Sequence, residues 1–516
     1  MRLWLRCLRV CVMLESDHSH SSFSLRRLGS RLRSIPALLM LLPFVAGVLL
    51  GDSLSIALWV VVGLFVVAFG SLMLLRHRAL RRLSLLVVML LTGYLVVELR
   101  GDRCEVVTER ELELVVRLSS IPERRYSQIV GEGVVEAWRE GDEWHGADCY
   151  VMLRLHDESL AEGDRVQLRS TIRGQMSRHE GYNALLHRRG FVGRVDIPKG
   201  RYVVLEDSDR PSLHALSVRR LERHLRDTAA YATAEAMVVG SKRMLDPEIG
   251  RDYAQTGLSH LMAISGLHLG IVMFVVALLL RPLLLIYRGL HLRALLVIVV
   301  LWLFAAVSGF SPSVVRSALM LSVLQLSEVS LLRYNSVNAL SVVVMAMLAY
   351  NPNYLWDVSF QLSVLAVMGI VVWAVPLLSF IAHHQVRCMW LMTTLVISLV
   401  ASLWAMPIVG GLYGEVNMMN IVLSPLIFVT ANVVVGFGVF ALVLPDVVAR
   451  PFGYVMEWAA GVQNGVVELG SGWNFGTLTF EPSVWGVVLI YSLFAIITLV
   501  AWSWEEKKVI TLSLDE

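Results

Sequence analysis

The stretch HLMAISGLHLGIVMFVVALLL, residues 260–280, is apolar over most of its length but carries His260, Ser265 and His268 at its head. About 20 apolar residues is the length that crosses a bilayer, so the stretch predicts a membrane helix. Polar atoms at the head of such a helix need protein partners or a wet cavity, because lipid offers neither donors nor acceptors. The composition puts the rest of the chain in the same class. Of its 516 residues 56% are hydrophobic, with mean hydropathy +0.64, which exceeds the usual apolar share of a soluble domain. Charge is spread unevenly: only seven Lys/Arg and seven Asp/Glu lie between His260 and Trp502, out of 45 and 42 in the chain.

Working outward, apolar runs at 35–51, 54–75 and 83–97 predict three N-terminal spans. The loop RHRALRR (76–82) holds four arginines, and Arg26, Arg27, Arg31 and Arg33 precede the first run. Both clusters are expected on the cytoplasmic side by the positive-inside rule, so the third helix should deliver residues from about 100 onward to the outside. The N-terminal MRLWLRCLRVCVML is not a convincing signal peptide, since arginines interrupt its apolar core. Downstream, spans are expected at 260–280, 294–308, 313–329, 337–350, 358–379, 389–410, 419–444 and 484–503. The loops 281–293 and 381–388 carry basic residues and are expected in the cytoplasm. Pro312 and Arg316 suggest a re-entrant or broken segment at 311–329. Residues 450–483, with Glu457, Trp458, Glu468 and Trp473, read as interfacial.

Residues 100–210 differ in character. Strand-like alternation occurs in QIVGEGVVEAW (128–138), ADCYVMLRL (147–155), RVQLRSTIRG (165–174), FVGRVDI (191–197) and RYVVLE (201–206). Short strands at this spacing predict a small β-barrel, OB-like in kind. From Arg169 to Arg201 the chain has eight Arg/Lys against two Asp/Glu, with Trp138, Trp144, Phe191 and Tyr202 as aromatic neighbours. Arg169, Arg173, Arg188, Arg189 and Arg194 are therefore candidates for binding single-stranded nucleic acid. The plainer reading, a solvated barrel whose arginines meet anionic headgroups, stays open. Cys104 and Cys149 fall in this outside domain, where oxidation would permit a disulfide. The five cysteines show no metal-ligand spacing, and no metal or cofactor is expected. Residues 211–255 read as an amphipathic helical linker lying on the membrane surface.

The domain plan is a cytoplasmic segment 1–34, three helices over 35–99, the extracytoplasmic β domain 100–210, the linker 211–255, a multi-helix domain 256–503 and a cytoplasmic tail 504–516. The fold class is a polytopic α-helical membrane protein with an inserted small extracytoplasmic β-barrel. Within the apolar half the polar residues are His260, Ser265, His268, Arg316, Asp357, Gln361, Asn417 and Asn420. A central Arg or Asp costs roughly 2.5–3.5 kcal/mol on insertion scales, so these groups should face protein, water or each other. One reading makes them interhelical glue, with Arg316 and Asp357 as a buried pair. The other makes the set the lining of a wet internal path.

Four blocks of this region carry a resemblance. TGLSHLMAISGLHLGIV (256–272), SGFSPSVVRSALM (308–320), NPNYLWDVSFQLSVLAVMGI (351–370) and GLYGEVNMMNIVLSPLI (411–427) resemble, in order, motifs of the ComEC-type competence proteins, inner-membrane DNA-uptake channels. Upstream, EGDRVQLRSTIRG (162–174) and EGYNALLHRRGFVGRV (180–195) resemble that family's extracytoplasmic domain. The match covers roughly residues 35–500. Ser359 and Val364 stand where the family has Gly and an aromatic, and Ser317 where it has Ala. Many members continue into a metallo-β-lactamase-like domain with a His-x-His-x-Asp-His motif; this sequence has no such motif, and nuclease activity is not expected of it.

The resemblance implies a multi-pass channel of the inner, cytoplasmic membrane that conducts single-stranded DNA during natural transformation. His260, Ser265, Gly266, His268, Arg316, Asp357, Gln361, Asn417 and Asn420 would line or shape the path, with Asp357 holding Arg316 in place. The implied partners are single-stranded DNA, a periplasmic DNA-binding competence protein, a cytoplasmic translocase ATPase, single-strand-binding proteins, membrane lipid and further copies of the chain. No P-loop motif is present, so the pull is expected from those cytoplasmic partners. Two other function classes stay in view: a small-solute or lipid-linked substrate transporter, and an intramembrane hydrolase with Ser265 as nucleophile and His268 as base. The chain is not expected to be an enzyme, because Ser-x-x-His on one helical turn lacks a recognisable third member.

Overall fold

The computed structural model describes residues 34–504, except 55, 101–108, 121, 126–127, 157–159, 161, 177–179, 207–212, 224–228, 263, 331–333, 384–387 and 474–475. Three helices open the described chain: α1 (Pro36–Ser53), α2 (Leu58–Leu74) and α3 (Arg78–Leu99). Helices α1 and α3 meet backbone to backbone. A Cβ at Gly47 would stand 1.9 Å from the Leu90 carbonyl oxygen, and one at Gly93 would stand 2.1 Å from that of Phe44. Only glycine permits this approach, the small-residue crossing by which helices associate in lipid. The α1–α2 linker is tied down by Tyr94, whose hydroxyl accepts from the Ile56 N–H (2.7 Å) and donates to the Leu54 carbonyl (2.9 Å).

The β domain holds β1 (Glu111–Leu118), β2 (Glu123–Arg125), β3 (Gln128–Glu140), β4 (Glu143–Leu155), β5 (Arg165–Thr171), α4 (Glu180–Arg188), β6 (Phe191–Ile197) and β7 (Tyr202–Glu206). Five of these strands coincide with the alternating segments read from the sequence. Strand β1 is not among them, although Leu112, Leu114, Val116 and Leu118 recur at every second position and are buried in the sheet core, with Val115 between them buried as well. The strands form one seven-stranded sheet in the order β6-β4-β3-β1-β5-β7, with β2 paired to β3. The expected small β domain is thus present, with its sheet open. Bulges at Val115/Val116 and Val135/Ala137 increase its twist. A single antiparallel bridge, Arg173 to Arg194, links the chain beyond β5 to β6. Cys149 is buried in this core and disulfide-bonded; Cys104, its expected partner, lies outside the described residues, as do Cys7, Cys11 and most of the two terminal segments.

The outer face of the sheet is cross-braced by charge. Glu136 sits between Arg117 and Arg165, each donating at 2.7 Å, and Glu113 accepts from Gln167 and Arg139. The Gln167 hydrogen bond, aided by Arg139, holds the Glu113 carboxyl below its usual range against the opposing effect of burial. Burial pushes Glu136 upward, but its two arginines outweigh it and the net shift is downward. A depressed folded-state pKa contributes stability above the unfolded value, about 4.3 for Glu. That contribution is lost as pH falls through the folded value. Amide protection over residues 111–171, taken relative to the intrinsic exchange rate at each pH, is therefore expected to be flat from neutral pH down to about 5 and to fall below about 4. Protection that stays unchanged down to pH 3 would show that these carboxylates contribute nothing.

Beyond the sheet come α5 (Leu213–Glu222), α6 (Ala229–Val238), α7 (Pro247–Gln255), α8 (Gly266–Leu279), α9 (Gly289–Val307), α10 (Pro312–Ser330) and α11 (Ser336–Tyr350). They are followed by α12 (Val358–Gly369), α13 (Val375–His383), α14 (Met389–Tyr413), β8 (Glu415–Asn417), α15 (Met419–Val443), α16 (Asp446–Ser471), β9 (Thr477–Thr479) and α17 (Val484–Trp504). A π-helical turn, Ile370–Ala374, joins α12 to α13. Among the described residues seven helices are long and apolar enough to cross a membrane: α1, α3, α9, α12 with α13, α14, α15 and α17. Helices α2, α8 and α11 are apolar but shorter.

Two expectations about the helices need correction, and two more segments are refined. The 260–280 span is broken: a 3-10 turn, Ser259–Met262, precedes a helix that starts only at Gly266. The segment expected to break, 311–329, is one continuous helix, α10, because Pro312 sits at its start, where proline is tolerated. Residues 213–255, read as helix, form three separate helices, α5, α6 and α7. Helix α6 is buried from Tyr231 to Val238, and its neighbours on either side are separate short helices. The small residues of α6 let it pack inside; a Cβ at Gly438 of α15 would already stand 2.4 Å from Val238. Residues 446–471, most of the stretch read as interfacial, form a long helix, α16, that buries Met456, Ala460, Gln463 and Val467. Fully buried Gln463 donates to the Tyr253 hydroxyl and accepts from Thr430, both at 3.0 Å, which satisfies its amide and fastens α7, α15 and α16 together.

Candidate functional site

The break before α8 builds the site. Ser265 is extended (φ −113°, ψ 171°) and begins the helix. Its N–H donates to His268 Nδ1 at 3.3 Å. A neutral imidazole has one donor and one acceptor, so this contact leaves the proton on Nε2. His268 is fully buried, and its Nε2 has no hydrogen-bond partner among the described residues.

Gly266 brings the start of α8 against α10. A Cβ there would stand 2.9 Å from Ser317 Oγ and 3.6 Å from Arg316 Nη2. Arg316 is 3% exposed. Its Nη2 donates to Ser317 Oγ at 3.3 Å, its Nη1 points at Met320 Sδ at 3.6 Å, and its Nε has no partner among the described residues. No ion pair of Arg316 occurs among the described residues either. Ser317 in turn donates to the Ser313 carbonyl (2.8 Å), and Ser313 Oγ meets Ser363 Oγ of α12 at 3.3 Å. A guanidinium without an ion pair among the described residues thus lies against the start of α8, and a helix start favours an anion.

Asp357 does not hold Arg316, contrary to expectation. One of its oxygens accepts from the Phe360 N–H (2.9 Å) and so caps α12; the other pairs with Arg189 of the β domain at 3.0 Å. Arg188 lies over the Trp356 ring at 4.3 Å, and Asn353 donates to the Arg189 carbonyl at 3.4 Å. The corner between α4 and β6 is thereby clamped onto the turn that leads into α12. Two of the five arginines proposed for nucleic acid thus make contacts between domains. The others pair within the sheet: Arg173 and Arg194 with Asp196 (3.5 and 3.4 Å), and Arg169 with Glu111 (3.7 Å). Arg189→Ala and Asp357→Asn should each speed amide exchange over residues 352–357, with the double variant no worse than the worse single one, since both break one contact. Full additivity would refute the clamp.

The remaining candidates stand apart from Arg316. Gln361 Nε2 donates to the Leu355 carbonyl at 2.7 Å and closes the turn before α12. Asn417 accepts from the Met419 N–H (2.8 Å) and donates to Thr477 (3.1 Å) and to the Gln255 carbonyl, so it anchors the chain just ahead of the exposed His260. Asn420 donates to Ser402 at 2.9 Å, joining α15 to α14, and its Oδ1 is buried without a partner among the described residues. Sequence reasoning overlooked Ser313, Ser363 and Gln325. Each is a polar residue inside an apolar run, as Gln361 is, but serine is common glue and gave no separate signal.

A family profile described as "Competence protein" matches residues 237–504, which contain this site. The chain is similar to "ComE operon protein 3" of Bacillus subtilis (strain 168), with 29% identity over 195 residues, covering 37% of this chain and 24% of that protein. It is also similar to an "Uncharacterized protein" of Aquifex aeolicus (strain VF5), with 29% identity over 264 residues, covering 49% of this chain and 59% of that protein. The matched region is thus less than two thirds of either relative's own length. No solved structure matches.

Proposed function

This chain belongs to the competence protein family, and from that premise we propose that it conducts single-stranded DNA across the inner, cytoplasmic membrane during natural transformation. The family and the set of long apolar helices support a multi-pass membrane protein with a role in DNA uptake. The observation that carries the finer reading is Arg316, a guanidinium buried among membrane helices with no carboxylate beside it among the described residues. Desolvating an unpaired cation costs several kcal/mol, so an anion that visits is the natural compensation. DNA carries one negative charge per phosphate, and a low-dielectric path needs such a group.

In this reading a phosphate approaching the start of α8 meets the Arg316 fork, the Ser317 hydroxyl and the Nε2–H of His268. These contacts ignore base identity, as an uptake channel requires. The bonds are replaceable, because Arg316 holds only a hydroxyl and a thioether at rest. The β domain stands outside the cytoplasm and receives DNA from a periplasmic DNA-binding partner. A cytoplasmic ATPase and single-strand-binding proteins draw the strand inward. The hydrolase reading gains no support, since the His268 nitrogen that would serve Ser265 as base is engaged by a backbone N–H.

The test is deletion of the coding sequence in its host and restoration on a plasmid. Labelled DNA reaching the cytoplasm and the number of transformants should both collapse on deletion and return with the plasmid. Undiminished entry without the chain would refute the proposal.

A further inference from the structure

A second buried side chain in the membrane domain points a donor at a thioether, as Arg316 Nη1 does. Gln325 is 2% exposed; its Nε2 points at Met273 Sδ at 3.9 Å and its Oε1 has no partner among the described residues. A thioether is a weak acceptor, so Gln325 is in the same condition as Arg316 with Met320. The two are geometrically related. Met273 follows Gly266 by seven residues, two turns on, and shares its face of α8; Gln325 follows Ser317 by eight on α10. Helices α8 and α10 therefore run side by side in the same direction. Gly266 lies against Ser317 at one end of their seam, and Met273 against Gln325 at the other. The two ends are about 10 Å apart by helical rise. Between them on the same α8 face is Gly270, where an added Cβ would meet nothing within 4 Å. The seam is polar at both ends and unfilled in the middle.

We propose that the seam between α8 and α10 is the groove that holds the strand: Arg316 and Ser317 take a phosphate at one end, Gln325 takes a second polar group of the same strand at the other, and Met273 and Met320 are displaced as it enters. The proposal rests on the reading of the chain as a conductor of single-stranded DNA. Methionine suits the placeholder's part, being flexible and polarisable enough to swing aside and then lie against a base. Gly270 leaves the width that any larger side chain would occupy.

The experiment compares Gly270→Phe, Gln325→Leu and Arg316→Ala for entry of labelled DNA at matched membrane levels. It adds thiol labelling of the Gly270→Cys variant in protein whose Cys7, Cys11 and Cys388 are replaced by Ser. Phenylalanine at position 270 enters open space, so the protein should accumulate normally while uptake falls by about a hundred-fold or more, the scale of effect that a misplaced reacting partner produces. Gln325→Leu should lower uptake as well. The introduced thiol should react with a charged, water-soluble methanethiosulfonate, and more slowly when DNA is arrested in transit. Normal uptake by both seam variants, with Arg316→Ala defective, overturns the seam and leaves conduction standing. Normal uptake by all three overturns the seam and the placing of the path at Arg316, while loss of entry on deletion of the chain tests conduction separately. Reaction of the introduced thiol only with a lipid-soluble maleimide places that face against lipid and overturns the seam, however well the other variants accumulate.

Discussion

Arg316→Ala abolishes DNA entry while the protein reaches the membrane at its usual level; that result is expected from labelled DNA counted per unit of membrane protein. The reason lies in what Arg316 touches. A structural arginine in a buried pair leaves a stranded carboxylate when truncated, at a cost of about 3–5 kcal/mol to the fold. Arg316 has no such partner among the described residues and gives up only a serine hydroxyl and a thioether. The fold therefore loses little. A phosphate in transit loses its counter-charge, and the same 3–5 kcal/mol then falls on the passing strand, roughly two to four orders of magnitude in occupancy. Arg316→Lys keeps the charge without the planar fork and should be intermediate. Uptake at the normal level in Arg316→Ala would remove the ground for placing the path here. Disappearance of the variant from the membrane would mark the arginine as structural.

Gly266→Leu is expected to be nearly as severe, and Ser265→Ala mild. The first atom of any side chain at 266 stands 2.9 Å from Ser317 Oγ and 3.6 Å from Arg316, so a leucine must push the guanidinium or the whole helix start aside. A displacement of about 1 Å in a site that works by positioning costs on the order of a hundred-fold. Ser265 and His268 cap each other at the helix start, and alanine removes the hydroxyl half of that box while keeping the Ser265 N–H to His268 Nδ1 contact. The loss should be no more than the 0.5–1.5 kcal/mol of one ordinary hydrogen bond, about ten-fold at most. His268→Ala falls between, since it strands the Ser265 N–H in a buried place. Side-by-side uptake measurements decide the matter. A Ser265→Ala defect as deep as that of Gly266→Leu, with covalent capture of Ser265 by a serine-reactive probe, would favour the hydrolase reading instead.

The clamp at Asp357 illustrates how a correct local reading misleads at long range. Asp357 and Gln361 do share a helix start, and both are held there: Asp357 caps α12 and Gln361 closes the turn before it. The expected partner of Asp357, Arg316, is a strong cation within the same apolar half. The actual partner, Arg189, lies far back in the chain, in a basic stretch whose density suggests nucleic acid. Charge counting does not separate an arginine that faces solvent from one that faces another domain. Arg173 and Arg194 pose the same difficulty on a smaller scale, both turned to Asp196 of β6.

What the sequence determined by itself follows from short-range rules. Membrane helices were legible because lipid demands long apolar runs. Five of the strands were legible because a half-buried sheet imposes alternation. Ser265, Gly266 and His268 stood out because polar and flexible residues are costly at the head of a membrane helix. The tertiary structure alone decided the rest: the break falling before α8 rather than within α10, α6 entering the core, the sheet staying open, and Arg316 standing without a carboxylate while Asp357 turns to the β domain. Each of these depends on which surfaces meet after the chain has folded, such as a glycine face against a serine or a small-residue helix against Gly438. Periodicity registers that a residue is buried or polar. It carries no information about the residue that will stand opposite, because that choice is made by close packing among helices distant in sequence.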